Sequence, residues 1–567
     1  MWDQLYQHRE HFLFGLRVAN PDLSPLHPSP VDIFRYWQIY LDNVNPLLNV
    51  THAPTLQPRI IEAAGKLTGI APELEAVMFG VYCIAVRSLS SSECEAMFHT
   101  AKDDLLQGFQ LGCQQALTNC GLLRTNSRLC LTAYYLYLVR TPRRFTENLK
   151  GNKNADDCGI QVSLAFTSHP QTLYAMLGMA IRIARRIGIH DEASLAKCSP
   201  FEAEMRRRLW WNLVLFDARI GEMSEKGGAS ESTLNPIWDC KPPVNISDAD
   251  LRPGTKAPLV ASSRCSEAIF TVVRSRLSNY IRHADFFLDF TNPAIKPVAR
   301  RKGASGDSGG DELAALEAEI EETYLRFCDP ENPVQLLTIG TTRTFFARCR
   351  LLRRLSGYPS STTSMSESQL DAATEHAIGM LEGDTLVAKS PSTAGYKWFM
   401  ASFFPLPAYL QATQDICSRP LGPLVERAWR AMSENFAARI ESELGHGVAP
   451  FAHLKRFVLQ AWEACEAARN RDRCHMETPG IIADVRRLPA EITPCACPPA
   501  AGSSSASEMD VGFDGFQGGG FDMFLGGFPG ADPMLGVAEA PDFGTVPPRS
   551  EMGGLNLGGY CWPPAGR

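Results

Sequence analysis

Among the residues that could do chemistry, Ser308 comes first. It lies in Gly-Asp-Ser-Gly-Gly at residues 306–310, a serine set between glycines as an acyl-transfer nucleophile would be. That chemistry also needs a histidine base, a buried aspartate to orient it, and backbone N–H groups aimed at the developing oxyanion. The surrounding stretch, Arg300 to Asp311, is glycine, serine and charge with no apolar anchor. A flexible linker of that composition holds no such constellation in place. Ser308 is read as a linker residue, replaceable by alanine without effect. The chain contains no His-Glu-x-x-His, no phosphate-binding loop and no dinucleotide fingerprint. No catalytic residue, cofactor site or metal site is assigned, and the chain is read as a non-enzyme.

Metal chemistry is next. The 17 cysteines scatter from Cys83 to Cys561 and form no Cys-x-x-Cys pair, the unit that opens thiolate zinc clusters. Cys495 and Cys497 stand close but have no neighbours positioned to complete four ligands. Cys113, Cys130, Cys349 and Cys465 fall in apolar helical patterns and are read as small buried hydrophobes. Arg206, Arg207 and Arg208 beside Trp210 and Trp211 have the types for phosphate pairing and base stacking. On one helix they spread over most of the circumference, so the preferred reading is structural: arginines toward solvent or carboxylates, tryptophans packed.

The elements that must position these residues are helices. Ser199, Pro200 and Glu202 form a helix start: a hydroxyl cap, a proline at the first position, and a glutamate able to reach back to the cap. Met205, Leu209, Leu213, Phe216 and Ile220 then recur at steps of three or four, predicting one buried stripe. Leu173, Leu177, Ala180, Ala184 and Ile187 repeat the pattern just upstream. Together they predict a helix pair inside an all-α, multi-helix domain.

The wording of this region goes further than its periodicity. HPSPVDIFRYWQIYLDNVNPLLNVTHAPTLQPRI (27–60), GCQQALTNCGLLRT, SPFEAEMRRRLWWNLVLFDARIGEM and WDCKPPVNISDADL resemble the regulatory domain of fungal transcription factors, the part that usually follows a zinc binuclear cluster. The similarity fades near Ala299 and covers about half of the chain. It implies a regulatory-domain motif of Arg206, Arg207, Trp210, Trp211 and Asp217. It also implies zinc only where an N-terminal cluster exists, and that cluster is absent from these residues.

The organisation expected is a lead-in at 1–30, the regulatory domain at 31–299, a linker at 300–311, a second helical region at 312–475 and a tail at 476–567. Residues 143–168 turn polar and are read as an insertion. The helices of the second region could also pack on the first domain. The sequons at Asn49 and Asn245 are read as chance matches, since the charged start MWDQLYQHREHFLFGLR is no secretory signal.

Net charge at pH 7 is −7, and residues 499–567 hold eight acidic residues against two basic ones. The remaining body is near neutral, which argues against a direct grip on DNA phosphates. In the tail, Phe513, Phe516, Phe521, Phe524 and Phe528, with Met523 and Leu525, stand among Asp510, Asp514 and Asp522. Acidic neighbours keep aromatics displayed in a disordered segment for a partner's groove. The sequence is therefore read as a nuclear regulator of transcription. Its tail would meet a coactivator, it would reach DNA through a DNA-binding partner, its other association would be a homodimer, and it would not engage a membrane. Arg300, Arg301 and Lys302 are a minimal import signal at most. Two rivals stay open: a complete zinc-cluster factor with a missing N-terminal exon, and a helical small-molecule-binding protein or enzyme.

Overall fold

The computed structural model describes residues 22–139, 170–223, 234, 238–283, 286–288, 299–301, 309–356, 365–440, 448–472 and 477–488. The expected insertion at 143–168, Ser308, Cys495, Cys497 and the five tail phenylalanines lie outside these residues.

The regular elements among the described residues are helices apart from one small hairpin, as an all-α expectation requires. First come α1 (Pro30–Asn43), α2 (Asn45–Leu48), α3 (Ala53–Gly65), α4 (Pro72–Ser88), α5 (Ser91–Phe98), α6 (Lys102–Asn119) and α7 (Arg128–Val139). Then follow α8 (Pro170–Ile187), α9 (Glu192–Leu195), α10 (Pro200–Met223) and α11 (Ile269–His283). The hairpin pairs β1 (Phe286–Leu288) with β2 (Ala299–Arg301) antiparallel, Phe287 opposite Arg300. Beyond it lie α12 (Gly309–Thr323), α13 (Pro333–Ser356), α14 (Glu367–Lys389) and α15 (Lys397–Met400). The last four are α16 (Leu406–Ser418), α17 (Val425–Ile440), α18 (Val448–Asp472) and α19 (Gly480–Arg487).

Local chemistry starts these helices where it should. Ser29 accepts the Asp32 N–H ahead of Pro30, and α1 then buries Ile33, Tyr36, Trp37 and Tyr40 at steps of three and four. Ser90 and Glu93 close a reciprocal capping box at α5, as Ser366 and Gln369 do at α14. Pro405 breaks the run from Lys397 to Ser418 into α15 and α16. α19 buries Ile481, Ile482 and Val485 within the stretch assigned to the tail, so ordered structure extends past residue 476. Its eight residues are too short a window for periodicity to stand out among prolines.

The centre of the first core is α4, buried from Leu74 to Ser88 on every side. α6 lies close enough that its Gly112 faces the Phe79 ring of α4, and a Cβ at that glycine would overlap the ring. The same core draws in Leu337, Val387, Tyr396, Trp398 and Phe399 from beyond the hairpin. Trp398 Nε1 donates to the Asn43 carbonyl at 3.0 Å. α11 serves two cores, giving Phe270 to the first and Ile269, Val273 and Leu277 to a second built with α12 and α13. The helices after residue 311 thus pack on those before it.

Replacing Gly112 by alanine should lower the unfolding free energy by about 1–3 kcal/mol, because Phe79 sits in a filled core and cannot yield cheaply. Urea unfolding of the full chain should show a lower midpoint at unchanged slope. An unchanged midpoint would mean that α4 and α6 do not meet in solution.

Candidate functional site

The sequence-predicted motif lies on α10. The helix starts as expected, with Pro200 at its first position and Ser199 Oγ accepting the Glu202 N–H at 3.2 Å. The Glu202 carboxylate does not return to the cap. It accepts instead from Arg206 Nε at 2.8 Å and Arg128 Nε at 3.2 Å. Of the expected stripe, Met205, Leu209, Leu213 and Ile220 are buried, but Phe216 is only partly so and lines a cleft. Trp210, Trp211, Asn212 and Val214 are buried as well. One apolar stripe therefore understates α10, which is enclosed on most of its circumference.

The cover on its far side is the polar strap 238–251. Trp211 Nε1 donates to the Lys241 carbonyl at 2.8 Å, and the Trp238 ring packs edge-on against both indoles at 5.4 and 5.3 Å. Neither tryptophan is open to stack on a base. Arg207 makes a two-pronged pair with Glu192 at 2.9 and 2.6 Å. Asp217 is buried at 1% exposure. Each of the three consecutive arginines thus has a carboxylate.

The third arginine is the centre. Arg208 has no exposed side-chain surface. Its guanidinium donates to Glu204 Oε1 at 3.3 Å, Asp248 Oδ1 at 2.7 Å, the Ile246 carbonyl at 3.4 Å, and Asn49 Oδ1. Asn49 caps α2 with φ of 49°, a left-handed conformation that asparagine tolerates better than most residues. Glu204 is fully buried too, and its Oε1 also accepts the Val244 N–H at 3.1 Å. Asn212 donates to the Leu48 carbonyl at 2.7 Å and accepts from Tyr135 Oη at 3.2 Å. His52 Nε2 bonds the Asp248 carbonyl at 2.9 Å. The hub therefore joins α2, α10 and the strap.

Sequence reasoning placed Arg206 and Arg207 in the motif, read Arg208 only as an arginine facing solvent or a carboxylate, took Asn49 for a chance sequon, and passed over Glu204 and Asp248. The available signal was the Glu204–Arg208 spacing of four, which places opposite charges on the same side of α10 as the buried Met205 and Leu209. Both sequon asparagines have structural work: Asn49 holds Arg208. Asn245 is buried, donates to the Ser262 and Arg264 carbonyls at 3.1 and 2.8 Å, and accepts from Ser266.

Beside the hub, α7, α10, α11 and α15 border a cleft. Arg274 lies in it with its guanidinium 5.2, 4.8 and 5.3 Å from the ring centres of Phe270, Phe399 and Phe403. Burial lowers the Arg274 pKa to about 10. The cavity is about 40 Å³, room for a few waters at most. Among the described residues no group of three or more His, Cys, Asp or Glu is arranged to hold a metal ion, and no helix is long and apolar enough to cross a membrane.

Residues 37–223 match the family model described as the fungal specific transcription factor domain. The Aspergillus aculeatus protein "Transcriptional regulator AacuB" is 42% identical over 499 residues, 87% of this chain and 64% of the relative. "Transcriptional regulator nsrM" of Aspergillus novofumigatus is 40% identical over 480 residues, 84% and 62% of the two chains. "Aurofusarin cluster transcription factor aurR2" of Gibberella zeae is 30% identical over 417 residues, 73% and 57%. The chain thus spans less than two thirds of the length of these curated relatives.

The hub generates an asymmetric prediction. Arg208→Met should cost about 3–5 kcal/mol, since it strands the buried Glu204 and the partly buried Asp248 carboxylates. Glu204→Gln should cost only about 1 kcal/mol, because Arg208 keeps Asp248, Asn49 and the Ile246 carbonyl. Equal losses in urea unfolding would refute the assignment of Arg208 as the centre. Burial raises the Glu204 pKa above 4.5, against the attraction of Arg208 and the Val244 N–H. Between 4.5 and the raised value the folded chain keeps a proton that the unfolded chain releases. This contribution is full below 4.5 and is lost as pH rises through the folded value. The stability gap between wild type and Glu204→Gln should therefore narrow with rising pH, and a widening gap would contradict the raised pKa.

Proposed function

The chain carries a fungal specific transcription factor domain, and on that premise we propose that it regulates transcription in the nucleus. The observation that carries this reading is the 42% identity, sustained over 87% of the chain, to a protein named as a transcriptional regulator. The name of the Gibberella zeae relative ties that protein to the aurofusarin cluster, and control of a set of clustered genes is the corresponding role for this chain. A non-catalytic role is supported by the use of the motif residues: the arginines and Asp217 are engaged or enclosed within the fold, leaving no set of them converging on a substrate.

In this proposal the helical core positions partners and the tail recruits them. For these 567 residues, contact with duplex DNA is assigned to a DNA-binding partner. The 567 residues contain no Cys-x-x-Cys pair, and the body before the tail is nearly neutral. Homodimerisation is the other association open to such a core. The coactivator contact is assigned to Phe513, Phe516, Phe521, Phe524 and Phe528.

Deleting the gene should change the transcripts of a defined group of genes, and an unaltered transcript profile would overturn the regulator reading. Residues 499–567 fused to an unrelated DNA-binding domain should activate a reporter. Converting the five phenylalanines to alanine should abolish that activation, because aromatic insertion supplies the affinity. Asp510→Asn with Asp514→Asn should only weaken it, since exposed charges are screened by salt. A silent wild-type fusion, or an active five-Phe variant, would remove the activator role from the tail.

A further inference from the structure

Two cysteines far apart in sequence meet where the loop before α11 touches the turn after α12. Cys265 Sγ and Cys328 Sγ are 3.4 Å apart across 63 residues of sequence, and both are partly exposed. They share one acceptor: the Tyr324 carbonyl lies 3.8 Å from Cys265 Sγ and 3.5 Å from Cys328 Sγ. Cys328 caps the 3₁₀ turn Leu325–Phe327, with its N–H donating to the Leu325 carbonyl at 2.9 Å. Cys265 adjoins Ser266, whose hydroxyl and N–H both donate to Asn245. The loop of Cys265 is thus continuous with the strap that closes over Arg208.

We propose that Cys265 and Cys328 are a redox modification site, converted by a small disulfide oxidant such as oxidised glutathione into an intramolecular disulfide. The sulfurs need to approach by about 1.4 Å to reach bonding distance. The Cys265 thiolate attacks one sulfur of the oxidant, breaking its S–S bond and expelling one glutathione thiolate. The Cys328 thiolate then attacks the Cys265 sulfur of that mixed disulfide and expels the second. The protein loses two protons and two electrons, and one oxidised glutathione becomes two reduced ones. Burial and the neighbouring Cys265 raise the Cys328 pKa, which slows a first attack by Cys328. The product would tie the end of the strap region to the second core, across a long loop whose closure favours the folded state.

The test uses the full chain, purified reduced and equilibrated with oxidised and reduced glutathione. Digestion with trypsin without reductant should release residues 265–274 joined to residues 327–343, short of two hydrogens and separable by dithiothreitol. The oxidised chain should melt several degrees higher than the reduced one. Cys328→Ser should instead hold glutathione on Cys265 and show no such rise. Absence of the linked peptides at a glutathione ratio that modifies the exposed Cys417 would overturn the proposal. So would a mixed disulfide on wild-type Cys265 that never resolves. Because the peptide readout is made on the wild type, it decides the matter even where the variant fails to fold.

Discussion

A guanidinium without water must find protein oxygens for its donors, and Arg208 imposes that requirement on three separate parts of the chain. Its four oxygen partners come from the end of α2, from one turn back on α10, and from two positions on the strap. None of these segments can be moved alone without leaving a buried charge or carbonyl unpaired, at several kcal/mol. The left-handed Asn49, the polar strap and the enclosure of α10 are then consequences of one buried cation. The two tryptophans follow from the same closure, because the strap that satisfies Arg208 also accepts the Trp211 N–H and lays Trp238 over both indoles.

A second arginine, partly buried, organises the later helices on similar terms. Arg439 donates to both oxygens of Asp384 at 2.7 and 2.6 Å and to the Phe403 carbonyl at 3.0 Å. Asn435 donates to the same carboxylate at 2.7 Å and accepts from Tyr409 Oη at 3.0 Å. This network binds α14, α16 and α17 to the turn at Phe403, and that turn borders the Arg274 cleft. Trp398 and Phe399, packed in the first core, link the family-matched helices to those that follow.

The sequence made the local grammar legible. Ser199 and Pro200 mark the start of α10, and the leucines of α8 and α10 fall in the core where their spacing puts them. It was less informative wherever a polar residue is used far from its own helix. Glu202 follows the capping-box spacing, yet two arginines outcompete the cap N–H because a charged donor makes the stronger bond. Asn49 and Asn245 look like modification sequons, whereas each is spent on a buried contact with residues well removed in sequence. Periodicity assigns α10 one face because it cannot register a cover made of loop. Arg208 escaped for the same reason: a burial that depends on Asp248, 40 residues on, leaves no local trace beyond the glutamate one turn back.

This economy bears on how such a core could regulate anything. Interior charge in this protein is consumed by architecture, and the small Arg274 cleft is walled by aromatic rings. A signal is therefore received more cheaply at places where the hubs are anchored than inside them. The strap is the exposed end of the Arg208 network, and it runs through Asn245 and Ser266 to the sulfur of Cys265. Tightening or freeing that end changes how firmly Asp248 is presented to Arg208 without breaking a buried pair outright. On the proposed reading, the helical core is a frame with a fixed interior whose adjustable element is the loop laid over it.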